Sequence, residues 1–173
     1  MKNLKIGIML LLVCCLCFLF AWPTSSEQQP TNSTRNNINN DTKNSIQSRC
    51  EKIQGLCQSK KGSPYVWGAE GPDSFDCSGF IYYIMKRIGN PVPRTTARKY
   101  WIYFKSKPEH WKNSTCGNIV WWTLERSRPK GHIGIMVENP RFWQAGSSGG
   151  VYSRIFFKGS FWSKHFVGSK NPF

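Results

Sequence analysis

The sequence predicts an α+β domain, and two observations carry that prediction. Up to about residue 105 the apolar residues recur at helical spacing; after Pro108 they gather in short runs rich in β-branched and aromatic side chains. Helices first and strands afterwards is the order of a domain whose N-terminal helices pack on one face of an antiparallel sheet. Ile46, Cys50, Ile53 and Cys57, with Leu56 alongside, predict a first helix from about residue 43, ended by Lys61-Gly62-Ser63-Pro64. Tyr65 to Gly68 is a short apolar piece, and Ala69 to Ser74 is a turn-rich loop. Phe80, Ile81, Ile84, Met85 and Ile88 line one side of a second helix that stops at Gly89. Pro91 and Pro93 enforce an extended link, and Thr95 or Thr96 caps a third helix running to about Lys105. Strands are predicted at 119–122, 132–137, 141–145 and 151–155, with turns at Asn139-Pro140 and 147–150, and a last strand at 166–168.

Ahead of these elements the chain is of a different kind. Lys2 and Lys5 precede an uninterrupted apolar run of 17 residues, Ile6 to Trp22. That is longer than the ~7–15 residues of a signal-peptide core and just short of the ~20 that span a bilayer. Residues 1–22 are therefore read as a signal peptide or an N-terminal membrane anchor, and the protein as exported to the periplasm or cell envelope, secreted or tethered. Cys14, Cys15 and Cys17 lie inside the run with no small residue ahead of them, which argues against a lipid anchor. Residues 23–42 hold one large apolar residue, Ile38, and are expected to be a flexible linker, leaving 43–173 as the folded domain. The sequons at Asn32, Asn40 and Asn113 are read as chance matches in an Asn/Ser/Thr-rich chain.

The net charge is +15, and without Lys2 and Lys5 it is still +13. Such a surface accumulates near polyanions, and an anionic cell wall or membrane surface suits an exported protein. No helix carries its Lys and Arg on one face and no nucleic-acid signature is present, so nucleic acid is not expected as a partner. A monomer is expected. Beyond the targeting segment four cysteines remain, Cys50, Cys57, Cys77 and Cys116. Cys50 and Cys57 lie about 10 Å apart on one helix, too far to bridge. Buried free thiols are the preferred reading, with Cys57–Cys116 or Cys50–Cys116 pairing left open. These four cysteines form no C-x-x-C pair and the chain has no H-x-x-x-H pair, and no metal or cofactor is expected.

Cys77 stands at the start of the second helix, where the helix dipole and free backbone N–H groups favour thiolate. The N–H groups of Cys77 and Ser78 there are placed to receive an oxyanion, and Ser78 and Gly79 are small enough to admit a substrate. For an arbitrary cysteine a buried apolar role is the ordinary one; what raises Cys77 above it is company. His132 opens a strand after a loop, a sound place for a base, and Gln144 on the next strand offers an amide oxygen to orient the imidazole. His110 and His165 lack such a setting and are read as surface residues.

The runs Gly62-Ser63-Pro64-Tyr65-Val66-Trp67-Gly68, Phe75-Asp76-Cys77-Ser78-Gly79-Phe80 and Pro93-Arg94-Thr95 resemble the opening half of an NlpC/P60 domain. Residues 117–122, 131–135 and 142–145 resemble its strand half, and 161–168 its closing strand, so the resemblance spans about 45 to 173. It implies a papain-like NlpC/P60 fold and a cysteine endopeptidase acting on peptidoglycan stem peptides, at the bond between γ-linked D-glutamate and the diamino acid. By the same resemblance Cys77 is the nucleophile, His132 the base, and Gln144 stands where the family most often has His. Tyr65 matches a tyrosine that assists the oxyanion, and Asp76 and Ser78 match substrate-lining positions, with helix capping an equal reading for Asp76. Arg94 matches an arginine of structural role. Asn118 departs from the family's usual Asp. Two other readings stay open: an amidase toxin or lysis effector aimed at another cell's wall, and a non-catalytic wall-binding module.

Overall fold

The structure, a computed structural model, describes residues 32–126 and 129–173. The targeting segment, the first part of the expected linker, and Ser127 and Arg128 lie outside the described residues. Helix α1 runs Asn32–Ser59, so it starts well before residue 43. No Gly or Pro interrupts the stretch from Asn32 to Gln54, so nothing in it breaks the helix, although its Asn, Ser and Thr residues are weak helix formers. Residues 39–48 of it are exposed, and only Ile53 and Cys57 are buried in the core. Helices α2 (Cys77–Arg87) and α3 (Ala97–Tyr103) follow, the latter capped by the Thr96 hydroxyl on the N–H of Lys99.

Five antiparallel strands form one sheet: β1 (Ile119–Trp122), β2 (His132–Glu138), β3 (Arg141–Gly146), β4 (Gly150–Ile155) and β5 (Phe166–Lys170), in the order β4-β3-β2-β1-β5. A short helix α4 (Phe161–His165) and a 3-10 turn at Trp111–Asn113 were not legible in the sequence. Both serve the same purpose. The three N-terminal helices bury one sheet face on Ile119, Trp121, Ile133, Ile135, Trp143 and Ala145. The opposite face carries its own cluster of Val120, Trp122, Met136, Phe142 and Phe156, roofed by Trp111, Trp162 and Phe166. A sheet covered on both faces accounts for strands that read as continuous apolar runs rather than alternating ones.

The preferred reading of Cys50 and Cys116 as free thiols is corrected. They form a disulfide with Cα atoms 5.7 Å apart, tying α1 to the segment that enters β1. The partners are 66 residues apart in sequence, a contact that local spacing cannot reveal. Cys57 and Cys77 are free and buried. Among the described residues no helix is long and apolar enough to cross a membrane, and no three His, Cys, Asp or Glu side chains are grouped to hold a metal ion.

Candidate active site

The site begins with the cap of α2. Asp76 has extended backbone, and its Oδ1 accepts from the N–H of Gly79 at 2.6 Å and from the Ser78 hydroxyl at 2.8 Å. Oδ2 accepts from the Gly68 N–H at 2.9 Å and from the Arg94 guanidinium at 2.7 Å. Arg94 also donates to the Ser78 hydroxyl and to the Gly68 carbonyl, so one arginine closes the ring that holds the loop before Cys77. Burial by itself would raise the Asp76 pKa; the Gly79 N–H, the Ser78 hydroxyl and Arg94 together win and hold it below the ordinary carboxylate range. Gly79 is required by close packing, since a Cβ there would lie 2.0 Å from the Ala69 carbonyl oxygen. The loop therefore presses directly on the helix that carries Cys77.

Cys77 is buried, with its sulfur 3.9 Å from the Gly131 carbonyl oxygen, next to the start of β2. Burial, and after it the negative charge of Asp76, push its thiol up to about 12. The N–H groups of Ser78, Ile133 and Cys77 itself act in the opposite direction and do not win. The expected preference of the helix start for thiolate is thus outweighed, and the resting side chain is a thiol.

His132 and Gln144 come together as the strand order requires. Ile135 pairs with Trp143 across β2 and β3; one further step in that register sets Gln144 beside Gly134, diagonal to His132. His132 Nε2 hydrogen-bonds the Gln144 side-chain Oε1. An amide oxygen only accepts, so Nε2 carries the proton and Nδ1 is left as the basic nitrogen. The ring packs against Trp122 at 5.6 Å and Trp162 at 6.0 Å between centroids. Burial lowers its pKa, and the bond to Gln144 only partly opposes this, so the surroundings favour the neutral imidazole. Gln144 is fully buried, and its Nε2 has no partner.

Cys77, His132, Gln144 and Tyr65 line one cleft of about 430 Å³. Asp76 and Ser78 are not among its lining residues; their side chains are turned to each other and to Arg94. His165 bonds the Phe161 carbonyl oxygen and packs on the Phe161 ring, and His110 lies tilted beside Trp111; neither is among the residues lining the cleft. Sequence reasoning passed over Trp122 and Trp162, which hold the imidazole, and over Trp67, Leu124, Glu125, Tyr152 and Phe161, which build the cleft walls. Asn118, the departure noted in the sequence, is buried and accepts from the Thr115 hydroxyl in the turn before β1.

"Probable peptidoglycan endopeptidase LytE" of Bacillus subtilis is 36% identical over 109 residues, 63% of this chain and 30% of that protein. "Bifunctional muramidase/DL-endopeptidase CwlT" of the same organism is 33% identical over 110 residues, 62% of this chain and 32% of that protein. The chain thus spans about a third of the length of these curated relatives. The solved structure of NlpC2 from Trichomonas vaginalis superposes with a TM-score of 0.61 at 24% identity, over 72% of this chain and 46% of that one, a likeness of fold. The model of the NlpC/P60 family matches residues 62–171, from the turn after α1 to the end of the sheet with Cys77, His132 and Gln144 inside it, and the chain belongs to the NlpC/P60 family.

Proposed function

We propose that this protein is an exported cysteine endopeptidase that hydrolyses peptidoglycan stem peptides, cutting between γ-linked D-glutamate and the diamino acid. The observation that carries the reading is the His132–Gln144 hydrogen bond in the same cleft as a cysteine at a helix start. Two relatives are named as endopeptidases, and CwlT's name carries the DL specificity that a D-glutamyl bond to an L centre would need.

The chemistry follows from the protonation states. His132 Nδ1 takes the proton of Cys77 as the sulfur attacks the carbonyl carbon. A neutral pair of this kind needs no free thiolate beforehand, only a base of matching orientation. The oxygen of the tetrahedral intermediate accepts from the N–H groups of Cys77 and Ser78, with the Tyr65 hydroxyl beside them. The imidazolium then protonates the leaving amine, the C–N bond breaks, and a thioester remains. Water, deprotonated by His132, attacks the thioester, and the sulfur leaves and recovers its proton. Gln144 keeps the imidazole in the productive tautomer but adds no negative charge to stabilise imidazolium. The net charge of +15 favours residence at an anionic wall or membrane surface.

Purified sacculi incubated with the protein should release new amino groups, and Cys77→Ser should abolish the release. If neither protein releases amino groups, the enzymatic reading is wrong and a wall-binding module replaces it.

A further inference from the structure

The C-terminal turn of α3 gathers positive charge from three parts of the chain. Lys170, buried at the end of β5, donates its ammonium to the Trp101 and Phe104 carbonyl oxygens at 2.8 and 2.9 Å. Lys105 donates to the Ile102 carbonyl oxygen at 3.1 Å. Lys130 comes from the segment before β2; its ammonium lies over the Trp101 ring at 4.9 Å, and that of Lys170 lies over the same ring at 4.6 Å. Burial, and after it the charges of Lys105 and Lys130, lower the Lys170 pKa, the mark of cations that repel at close range. Ala97 to Lys107 also holds Arg98, Lys99 and Lys107, and no acid. Glu109 is the acid nearest to Lys105 in sequence, its backbone paired with that of Ser169, yet both ion pairs among the described residues belong to Arg94.

Helix capping explains part of this, since cations belong where the last carbonyls of a helix point outward. It leaves unexplained two apolar side chains on the same turn. Ile102 is 64% exposed and Tyr103 44% exposed. Tyr103 is held in place, its ring packed edge-on against Tyr100 and Phe104 at 6.5 and 5.3 Å. Both adjoin the lysines directly: Ile102 bears the carbonyl bonded by Lys105, and Ile102 and Tyr103 lie between the two residues whose carbonyls bond Lys170. The combination selects the partner. A soluble polyanion asks for charge alone, and an exposed isoleucine adds nothing to its binding. An anionic bilayer takes both, with headgroup phosphates facing the lysines, an aliphatic side chain entering the acyl boundary, and tyrosine suited to the interface between them.

We infer that the C-terminal turn of α3 is a docking face for an anionic lipid surface, with Ile102 and Tyr103 dipping below the headgroups and Lys105 and Lys130 among the phosphates. Lys170 adds its charge from behind them. The inference stands apart from the peptidase reading and narrows the anionic partner of this basic surface to lipid.

Photo-cross-linking of the full chain in vesicles tests it, using a trace of phospholipid with a photoreactive headgroup and mass spectrometry of the labelled peptides. Segment 100–107 should be labelled at least about 5-fold more in phosphatidylglycerol vesicles than in phosphatidylcholine. Lys105→Gln and Lys130→Gln should each lower that labelling about 5-fold, the effect of one lysine at such a surface. Ile102→Ser should lower it about 2- to 3-fold. Labelling elsewhere on the chain is shared by every variant and serves as the reference. Ile102 and Lys105 are exposed and Lys130 is half-buried, so the variants should keep the wild-type unfolding temperature. Equal labelling in the two lipids, or labelling unmoved by the lysine substitutions, overturns the docking face and leaves the peptidase reading untouched. If lipid does not label this segment while polyglycerol phosphate in solution binds wild type more tightly than Lys105→Gln, the face takes a wall polymer and the lipid assignment is wrong.

Discussion

Replacing Asp76 by Ala removes the residue on which the start of α2 is built. The carboxylate accepts four hydrogen bonds of 2.6–2.9 Å, from Gly79, Ser78, Gly68 and Arg94. Loss of the helix cap alone is worth about 1 kcal/mol. The larger part is Arg94, whose side chain is 25% exposed against 10% for Asp76 and which would be left without this partner. Glu70 also reaches Arg94, at 3.2 Å, but it is half exposed, and an exposed pair contributes at most about 1 kcal/mol. Breaking a largely buried pair costs about 3–5 kcal/mol, so Asp76→Ala should lower the unfolding temperature by roughly 10–20 °C. Asp76→Asn keeps an oxygen for Gly79 and should lose about half as much. The pH dependence has a definite sign. The folded pKa of Asp76 lies below its unfolded value, so its contribution is complete above the ordinary carboxylate range and is lost as pH falls through the lower folded value. Thermal unfolding of the three proteins between pH 7 and pH 3 measures this, and wild type should lose more stability than Asp76→Asn over the interval. An Asp76→Ala protein within 1 kcal/mol of wild type would refute the hub role and return Asp76 to the substrate.

Two further outcomes follow from the same structure. Burial lowers the His132 pKa, so the acid limb of kcat/KM should lie below pH 6.5; Gln144→Glu places a carboxylate beside the ring, raises that pKa and should move the limb upward by about one unit or more. An acid limb that stays in place would mean that His132 is not the titrating base. Reduction of the Cys50–Cys116 disulfide, or Cys116→Ser, releases a 66-residue closure and should cost up to about 4 kcal/mol in a denaturant titration, with the cleft residues untouched. Equal midpoints with and without reductant would contradict the bridge.

Much of this was legible in the sequence because its signals are local. The apolar period of Phe80, Ile81, Ile84 and Met85 gave α2, the Thr96 cap gave α3, and the β-branched and aromatic runs gave all five strands. Cys77, His132 and Gln144 could be grouped before any coordinates because a helix start, a strand start and the next strand are places that converge, whereas Tyr65 joined them only through the resemblance to NlpC/P60 domains. What escaped was non-local or too short to have a period. Helix α4 spans five residues, yet it brings Trp162 over the imidazole and Phe161 to the cleft. The arginine that neutralises Asp76 is 18 residues away in sequence, and the cysteine that pairs with Cys50 is 66 away. The thiol of Cys77 reads as activated from its helix position and as protonated from its burial, and burial is a property only of the packed chain.

The most direct test of the proposed chemistry is mass spectrometry of purified tetrapeptide muropeptides after digestion. Cleavage by Cys77 at the γ-D-glutamyl bond should yield one fragment ending in D-glutamate and one beginning with the free amine of the diamino acid, with neither formed by Cys77→Ser. Fragments from any other bond would contradict the assigned specificity, and the same fragments from Cys77→Ser would contradict Cys77 as the nucleophile.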